Sequence, residues 1–64
     1  MKEKELERSF KALANKRRLA ILGFIKKEKE ATVGDIAGAI HLSFKATSKH
    51  LGVLASADIL QKDQ

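Results

Sequence analysis

The stretch "TVGDIAGAIHLSFKATSKHL" (32–51) predicts two short helices joined by a tight turn. Thr32 followed by Asp35 resembles a capping box, with Asp in place of the usual Glu, so we expect the first of these helices to begin at residue 33. Its apolar face consists of Val33, Ile36, Ala37 and Ile40. Ser43 is a good N-cap for the next helix. Two helices separated by residues 41–42 are typical of a helix-turn-helix.

The turn itself requires a residue that tolerates a positive φ, which glycine adopts most easily. His41 occupies this position, and histidine is among the side chains that tolerate it best. We predict that the helix after the turn runs from residue 44 to 57. Its apolar line is formed by Ala46, Thr47, His50, Leu51, Leu54 and Ala57. Asp58 then breaks the helix, and residues 59–61 could begin a strand.

Two further helices are predicted before this unit. Leu6, Phe10 and Leu13 recur at helical spacing, which indicates a first helix over residues 4–14. Asn15 is a good N-cap for a second helix over residues 16–27. The second helix has a broad apolar stripe, so we expect it to lie centrally; the stripe contains Leu19, Ile21, Leu22, Phe24 and Ile25. The predicted fold class is all-α, with helices at 4–14, 16–27, 33–40 and 44–57.

Length and composition bound the function. The chain has 64 residues, so we expect a single domain over residues 1–64. Its formal net charge of +5 favours a polyanionic partner such as nucleic acid. The absence of cysteine excludes disulfides and zinc–thiolate sites and fits a reducing cytosol. The apolar runs are too short to span a membrane and the N-terminus is too charged for a signal peptide. We therefore expect a cytoplasmic protein without a membrane partner.

The fourth predicted helix has an unusual outward face. If Thr47, Leu51 and Leu54 point inward, the outward residues are Lys45, Ser48, Lys49, Gly52 and Ser56. No acid occurs from residue 44 to 57, and Lys45 in the first turn opposes the helix dipole. We predict that this helix enters the major groove of double-stranded DNA, with base and phosphate contacts from Ser43, Phe44, Lys45, Ser48 and Lys49. The alternative is a solvated helix with ordinary surface lysines.

The second helix also begins with positive charge. Lys16, Arg17 and Arg18 crowd its first turn against the dipole, so we expect Lys16 and Arg17 to meet a phosphate or an acidic partner. For Arg18 we favour a stem that covers apolar surface. His50 lies at the edge of the packed face. It has either a hydrogen-bonded structural role or a phosphate contact through its ring N–H.

The sequence gives little support to catalysis. It contains no cysteine nucleophile and no glycine-rich phosphate loop. His41 and His50 belong to different elements, and a metal site that combined them with Asp35 would have no recognisable spacing. We expect a protein that is not an enzyme and has no cofactor.

Three stretches together resemble the ArsR-type (arsenic-repressor-like) winged helix-turn-helix regulators of bacteria and archaea. They are "FKALANKRRLAIL" (10–22), "TVGDIAGAIHLS" (32–43) and "SFKATSKHLGVLASADIL" (43–60). The resemblance covers roughly residues 6–60, and matching positions include Leu42, Ser43, Ser48, His50, Leu51, Leu54, Ala57 and Ile59. It implies a transcriptional repressor whose recognition helix is residues 43–57. It also implies that Phe44, Lys45, Ser48 and Lys49 read bases and phosphates.

The chain departs from the pattern of this family at several positions. Residues 32–35 read Thr-Val-Gly-Asp where metal-sensing members often carry Cys-Val-Cys-Asp, so that thiolate site is absent. Asp58 stands where the family usually has glycine, and Gly52 stands where a basic or polar residue is usual. Family members continue into a β-hairpin wing and a C-terminal dimer helix. Because this sequence stops at Gln64, we expect both to be missing. The first helix, which also joins the family dimer, is present, so Leu6 and Phe10 are expected to be exposed and to drive homodimer formation.

Two other functions remain as alternatives to a sequence-specific DNA-binding regulator. A helix-turn-helix module can instead bind protein, in which case binding would not weaken steeply with salt as DNA binding does. The second helix alone could act as a basic amphipathic segment on a membrane surface. The capping and turn signals favour a folded unit over that last possibility.

Overall fold

The computed structural model describes residues 2–60, which form four helices and no strand. These are α1 (Glu3–Leu13), α2 (Lys16–Glu28), α3 (Val33–Ile40) and α4 (Phe44–Ser56). The predicted all-α fold is confirmed, and each helix end lies within one residue of its predicted position. Ile59 and Leu60 are not in a strand, and the rest of the predicted strand lies outside the described residues.

Side-chain caps explain where three of the helices begin. The Asn15 Oδ1 atom accepts the N–H groups of Arg17 at 2.9 Å and Arg18 at 3.1 Å. The Ser43 hydroxyl accepts the Ala46 N–H at 3.1 Å. All three bonds satisfy N–H groups that the first turn of a helix leaves without a main-chain partner. The caps that the sequence predicted at Asn15 and Ser43 are therefore confirmed.

The start of α3 is a complete capping box. The Thr32 hydroxyl accepts the Asp35 N–H at 3.0 Å, and the Asp35 carboxylate accepts the Thr32 N–H at 3.1 Å. The shorter Asp side chain thus makes the bond that Glu usually makes. Two main-chain N–H groups that would otherwise lack a partner are thus bonded, which stabilises a helix of only eight residues.

The helices α3 and α4 end in the same backbone conformation. His41 and Asp58 have positive φ angles of 58° and 59°. Just beyond them, the Leu42 N–H bonds to the Ala37 carbonyl at 3.1 Å and the Ile59 N–H bonds to the Leu54 carbonyl at 3.0 Å. This is the six-to-one bond of the Schellman motif, which closes a helix through one left-handed residue. The predicted positive φ at His41 is confirmed.

All four helices contribute to one core. Its buried members are Ala12, Ile21, Ile36, Leu51 and Leu54. Ile21 of α2 and Leu54 of α4 are completely buried, and burial of side chains of this kind contributes about 1.5–3 kcal/mol each. Both α2 and α4 contact the three other helices, whereas α1 and α3 do not contact each other. The predicted central place of α2 is confirmed, and α4 shares it.

Leu19 is a correction to the predicted apolar stripe of α2, because its side chain is 54% exposed. Leu19 lies two residues before the fully buried Ile21, and two residues turn an α-helix by about 200°. The two side chains therefore leave opposite sides of the helix. The apolar residues of α2 extend further round the helix than its neighbours can cover.

Candidate nucleic-acid interface

The two faces of α4 divide as the sequence predicted. Thr47, Leu51 and Leu54 are buried, whereas Lys45 and Lys49 are exposed. Ser56 is also exposed, and Ser48 and Gly52 are half-buried. Because Lys45 and Lys49 are four residues apart, they lie one above the other on one side of the helix. The core therefore holds α4 by one side and leaves a basic row on the other.

The N-terminus of α4 presents donors to solvent. Within residues 2–60, the Ser43 cap leaves the main-chain N–H groups of Phe44 and Lys45 without a partner. The Ser43 oxygen accepts a bond, so its own hydroxyl proton remains free to donate. No acid lies in the first turn of α4. Free N–H groups and positive charge at a helix N-terminus suit a phosphate.

Phe44 sits beside these donors with its ring 63% exposed. An apolar ring of this size gains nothing from water and contributes little to the core from this position. Contact with an apolar surface of a partner, such as a thymine methyl group, would remove it from solvent. Phe44 therefore belongs to the candidate interface together with the two lysines.

The first turn of α2 is a second basic surface. Lys16 and Arg17 are exposed, and no acid lies in that turn. Positive charge here opposes the helix dipole, while the Asn15 side chain satisfies two of the free N–H groups. The exposed positions of Lys16 and Arg17 fit the predicted phosphate contact.

Arg18 does more than cover apolar surface. Its Nε–H donates to the Ala12 carbonyl at 2.6 Å and its Nη2–H donates to the Lys11 carbonyl at 3.1 Å. Its Nη1 atom lies 3.4 Å from His50 Nδ1. One guanidinium thus joins the end of α1 to α2 and α4. The sequence carried no signal for these contacts, since they depend on how three helices meet.

His50 is half-buried at this junction. Burial lowers its pKa from the ordinary value, and the positive charges of Arg18, Lys49 and Arg17 lower that pKa further. The ring is therefore neutral near neutral pH. The predicted hydrogen-bonded role of His50 is confirmed by the contact with Arg18, and its phosphate contact remains a prediction.

Arg18 contacts His50, and Arg17 and Lys49 are their neighbours in the sequence, so positive charge from α2 and from α4 meets at this junction. Lys45 extends this patch along α4, while His41 is exposed at the turn between α3 and α4. In residues 2–60, no group of three or more His, Asp or Glu side chains is placed to hold a metal ion. Over the same range, no helix has both the length and the apolar character needed to cross a bilayer.

Comparison with known protein families matches residues 15–62 to the model described as "Bacterial regulatory protein, arsR family". That range is three quarters of the chain and includes α2, α3 and α4. The chain belongs to the ArsR family. It is therefore a DNA-binding transcription regulator of helix-turn-helix type. No curated protein and no solved structure matched the chain in the same comparison.

The structure gives a physical reason for several ArsR-type positions. Ser43 caps α4, and Leu51 and Leu54 anchor this helix in the core. Ile59 packs against that core just after the turn. Asp58 has the positive φ for which glycine, usual in the family, is best suited. Residues 6–14, which also resemble the family, lie outside the matched range.

Proposed function

We propose that this ArsR-family protein is a sequence-specific repressor that places α4 in the major groove of DNA. The observation that carries the proposal is the division of α4 into a buried apolar side and a basic outer side with Lys45 and Lys49. A helix held by one side presents the other to the groove as a fixed surface. A repressor of this kind acts on chromosomal DNA, so we infer a cytoplasmic location.

The interface residues have distinct roles in this proposal. Lys45 and Lys49 bind phosphates or guanine edges, and the exposed Phe44 ring packs against a thymine methyl group. Ser43 and Ser48 donate hydroxyl hydrogen bonds at the edge of the same surface. Lys16 and Arg17 bind the phosphate backbone next to the groove, which fixes the position of the protein on the duplex.

A salt titration of the lysine variants tests the proposal. Anisotropy of a labelled duplex is measured at several salt concentrations for the wild type, Lys45→Ala and Lys49→Ala. Each lost phosphate contact should lower the slope of log affinity against log salt by about 1. A lysine that reads guanine should instead relax selection at one base pair by about 1–3 kcal/mol.

Lys4→Ala is the matched control, because it removes the same charge from the exposed first turn of α1. It should leave both the slope and the base preference unchanged. If Lys45→Ala and Lys49→Ala bind as the wild type does, α4 is not the recognition helix.

A protein partner is the second candidate for the same surface. The exposed Phe44 favours it, since an aromatic side chain anchors many protein interfaces. DNA binding that is absent even at low salt, in a protein that folds cooperatively by circular dichroism, would favour this alternative.

We also infer that two copies associate through α1. Ala12 is the buried residue of that helix, while Leu6 and Phe10 are 41% and 61% exposed. Together with Ala14 they line a groove along one side of α1, whose other lining residues are Glu3, Glu7 and Lys11. A second copy of the same helix would cover this face, and a dimer would present two recognition helices to two half-sites.

A further inference from the structure

The contact between Arg18 and His50 favours one tautomer of the neutral imidazole. A guanidinium has donors and no acceptor. The 3.4 Å contact between Arg18 Nη1 and His50 Nδ1 is therefore a hydrogen bond only when Nδ1 is unprotonated. In the neutral ring the proton then lies on Nε2. Arg18 thus selects the tautomer that has an N–H on the far side of the ring.

That second nitrogen faces solvent. In residues 2–60, every buried side-chain nitrogen or oxygen of a buried or half-buried residue has a hydrogen-bond partner. No such partner is found for His50 Nε2, although the residue is half-buried. Some of the surface of Nε2 is therefore accessible to water, whereas Nδ1 lies at the junction beside Arg18.

The surroundings of the ring suit an anion. The positive charges of Arg18 and Arg17 on α2, and of Lys49 on α4, lower the pKa of the ring. On α1, Arg18 meets main-chain carbonyls, and the Lys11 ammonium pairs with Glu7 at 3.4 Å. On α3, Asp35 is occupied in the capping box. Among the described residues, none of the charged groups that shift the pKa of the ring is a carboxylate, so none of them would repel a phosphate.

We propose that Arg18 is a positioning residue for DNA binding, which holds His50 so that its outward Nε2–H donates to a phosphate beside Arg17 and Lys49. The inference rests on the proposed function. It adds Arg18 as a residue that affects DNA binding by holding His50 and does not contact DNA itself. Arg18 itself is held against the end of α1 by its two bonds to main-chain carbonyls. Because the same guanidinium holds the end of α1, the position of His50 depends on the packing of three helices.

Proton linkage follows from the phosphate contact. Protonation at Nδ1 ends the bond from Arg18 but keeps the Nε2–H bond to the phosphate. A phosphate near the ring favours the charged imidazolium, so the pKa of His50 is higher in the DNA complex than in the free protein. A complex that binds more protons than its free components becomes tighter as the pH falls. The gain in affinity is at most about ten-fold for each unit by which DNA raises the pKa.

Two measurements on the intact chain test the positioning role. Long-range proton–nitrogen NMR correlations of the free wild type should show the Nε2–H form of His50 at neutral pH. Binding of a random duplex carrying a dye that does not titrate is then followed from about pH 8 to about pH 6. Affinity should rise on acidification in the wild type and in His41→Gln, and this rise should be lost in His50→Gln.

Arg18→Lys separates positioning from simple stability. Lysine keeps the charge but cannot bridge two α1 carbonyls and the ring, so the bond that stabilises the neutral ring with a free Nδ1 is lost. Without the bond to neutral Nδ1, the rise in affinity should begin at higher pH than in the wild type. A variant with unchanged melting but the wild-type pH profile would contradict the proposal.

The remaining outcomes are decisive as well. If Arg18→Lys does not fold, the wild-type tautomer and the His50→Gln profile decide the question. An Nδ1–H tautomer in the wild type would overturn the inference. Salt-dependent DNA binding with no pH dependence at His50 would overturn it too, while leaving the proposed function intact. If the wild type does not bind DNA at all, both the role of Arg18 and the proposed function are wrong.

Discussion

Gly52 leaves a gap in the side chains along the outer surface of α4, at a position where the resemblance to the ArsR family leads us to expect a basic or polar residue. In residues 2–60, a Cβ atom added at this position would meet no atom within 4 Å apart from its chain neighbours and the backbone of its own helix, and the φ angle is not positive. Neither crowding nor backbone conformation within the chain therefore requires glycine. We predict that the missing side chain allows DNA to approach the main chain of α4 at this position.

The Gly52→Ala variant tests this at the level of one residue. Alanine loses less backbone freedom on folding, so the free energy of unfolding should rise by about 0.5–1 kcal/mol. Denaturant unfolding followed by circular dichroism measures the change. Gly23→Ala in α2 is the matched control, because that glycine is equally uncrowded.

Both variants should be stabilised. A fall in DNA affinity in Gly52→Ala and not in Gly23→Ala would place the DNA against the backbone of α4. If Gly52→Ala is less stable than the wild type, the packing around this residue is tighter than described above.

At the scale of the element, the backbone is strained at the ends of α3 and α4, because His41 and Asp58 have positive φ angles. A residue with a Cβ atom in the left-handed region costs roughly 1–2 kcal/mol. Glycine removes this cost but loses more backbone entropy, about 0.5–1 kcal/mol. His41→Gly and Asp58→Gly should therefore each stabilise the protein by up to about 1 kcal/mol.

Thermal unfolding measures the effect of these substitutions, and Ala39→Gly serves as control because Ala39 is exposed within α3. That substitution should destabilise by about 1 kcal/mol, since it adds entropy cost without relief of strain. His41→Gly should leave DNA affinity unchanged. Destabilisation by both His41→Gly and Asp58→Gly would mean that their side chains contribute more than their backbone strain costs.

At the scale of the whole molecule, His50 links stability to pH. Its pKa is lowered in the folded state by burial and by nearby positive charge, whereas in the unfolded chain it is near 6.5. The unfolded state therefore binds more protons below that pH, and the folded state is disfavoured. We expect the free energy of unfolding to fall as the pH drops below about 6.5.

Chemical denaturation between about pH 7 and pH 5 measures this slope, in a range above the titration of most carboxylates. The His50→Gln variant cannot take up the proton and should lack this part of the slope. An identical slope in the variant and the wild type would mean that other groups govern acid stability.

The apolar face of α1 predicts self-association of the whole chain. Phe10→Glu places a charge in the groove that Leu6 and Phe10 line, so it should shift the protein towards monomer in sedimentation equilibrium. Leu19→Glu is the control, since Leu19 is similarly exposed but lies on α2. If both variants associate as the wild type does, α1 is not the contact between copies.

Local features of the sequence determined the four helices and their limits. Asn15, the pair Thr32–Asp35, and Ser43 predicted where helices start, because each cap uses atoms only a few residues apart. His41 predicted the turn for the same reason. The inward side of α4 followed from helical spacing alone, and so did the exposure of Lys45 and Lys49.

The tertiary structure alone decided what depends on distant parts of the chain. Leu19 was predicted to lie in an apolar stripe and is exposed, because the width of the buried face of α2 is set by its three neighbours. Arg18 contacts residues six and thirty-two positions away, at a junction that exists only once α1, α2 and α4 are packed. The lowered pKa of His50 follows from the same junction, since burial and the approach of Arg17 and Arg18 arise from packing.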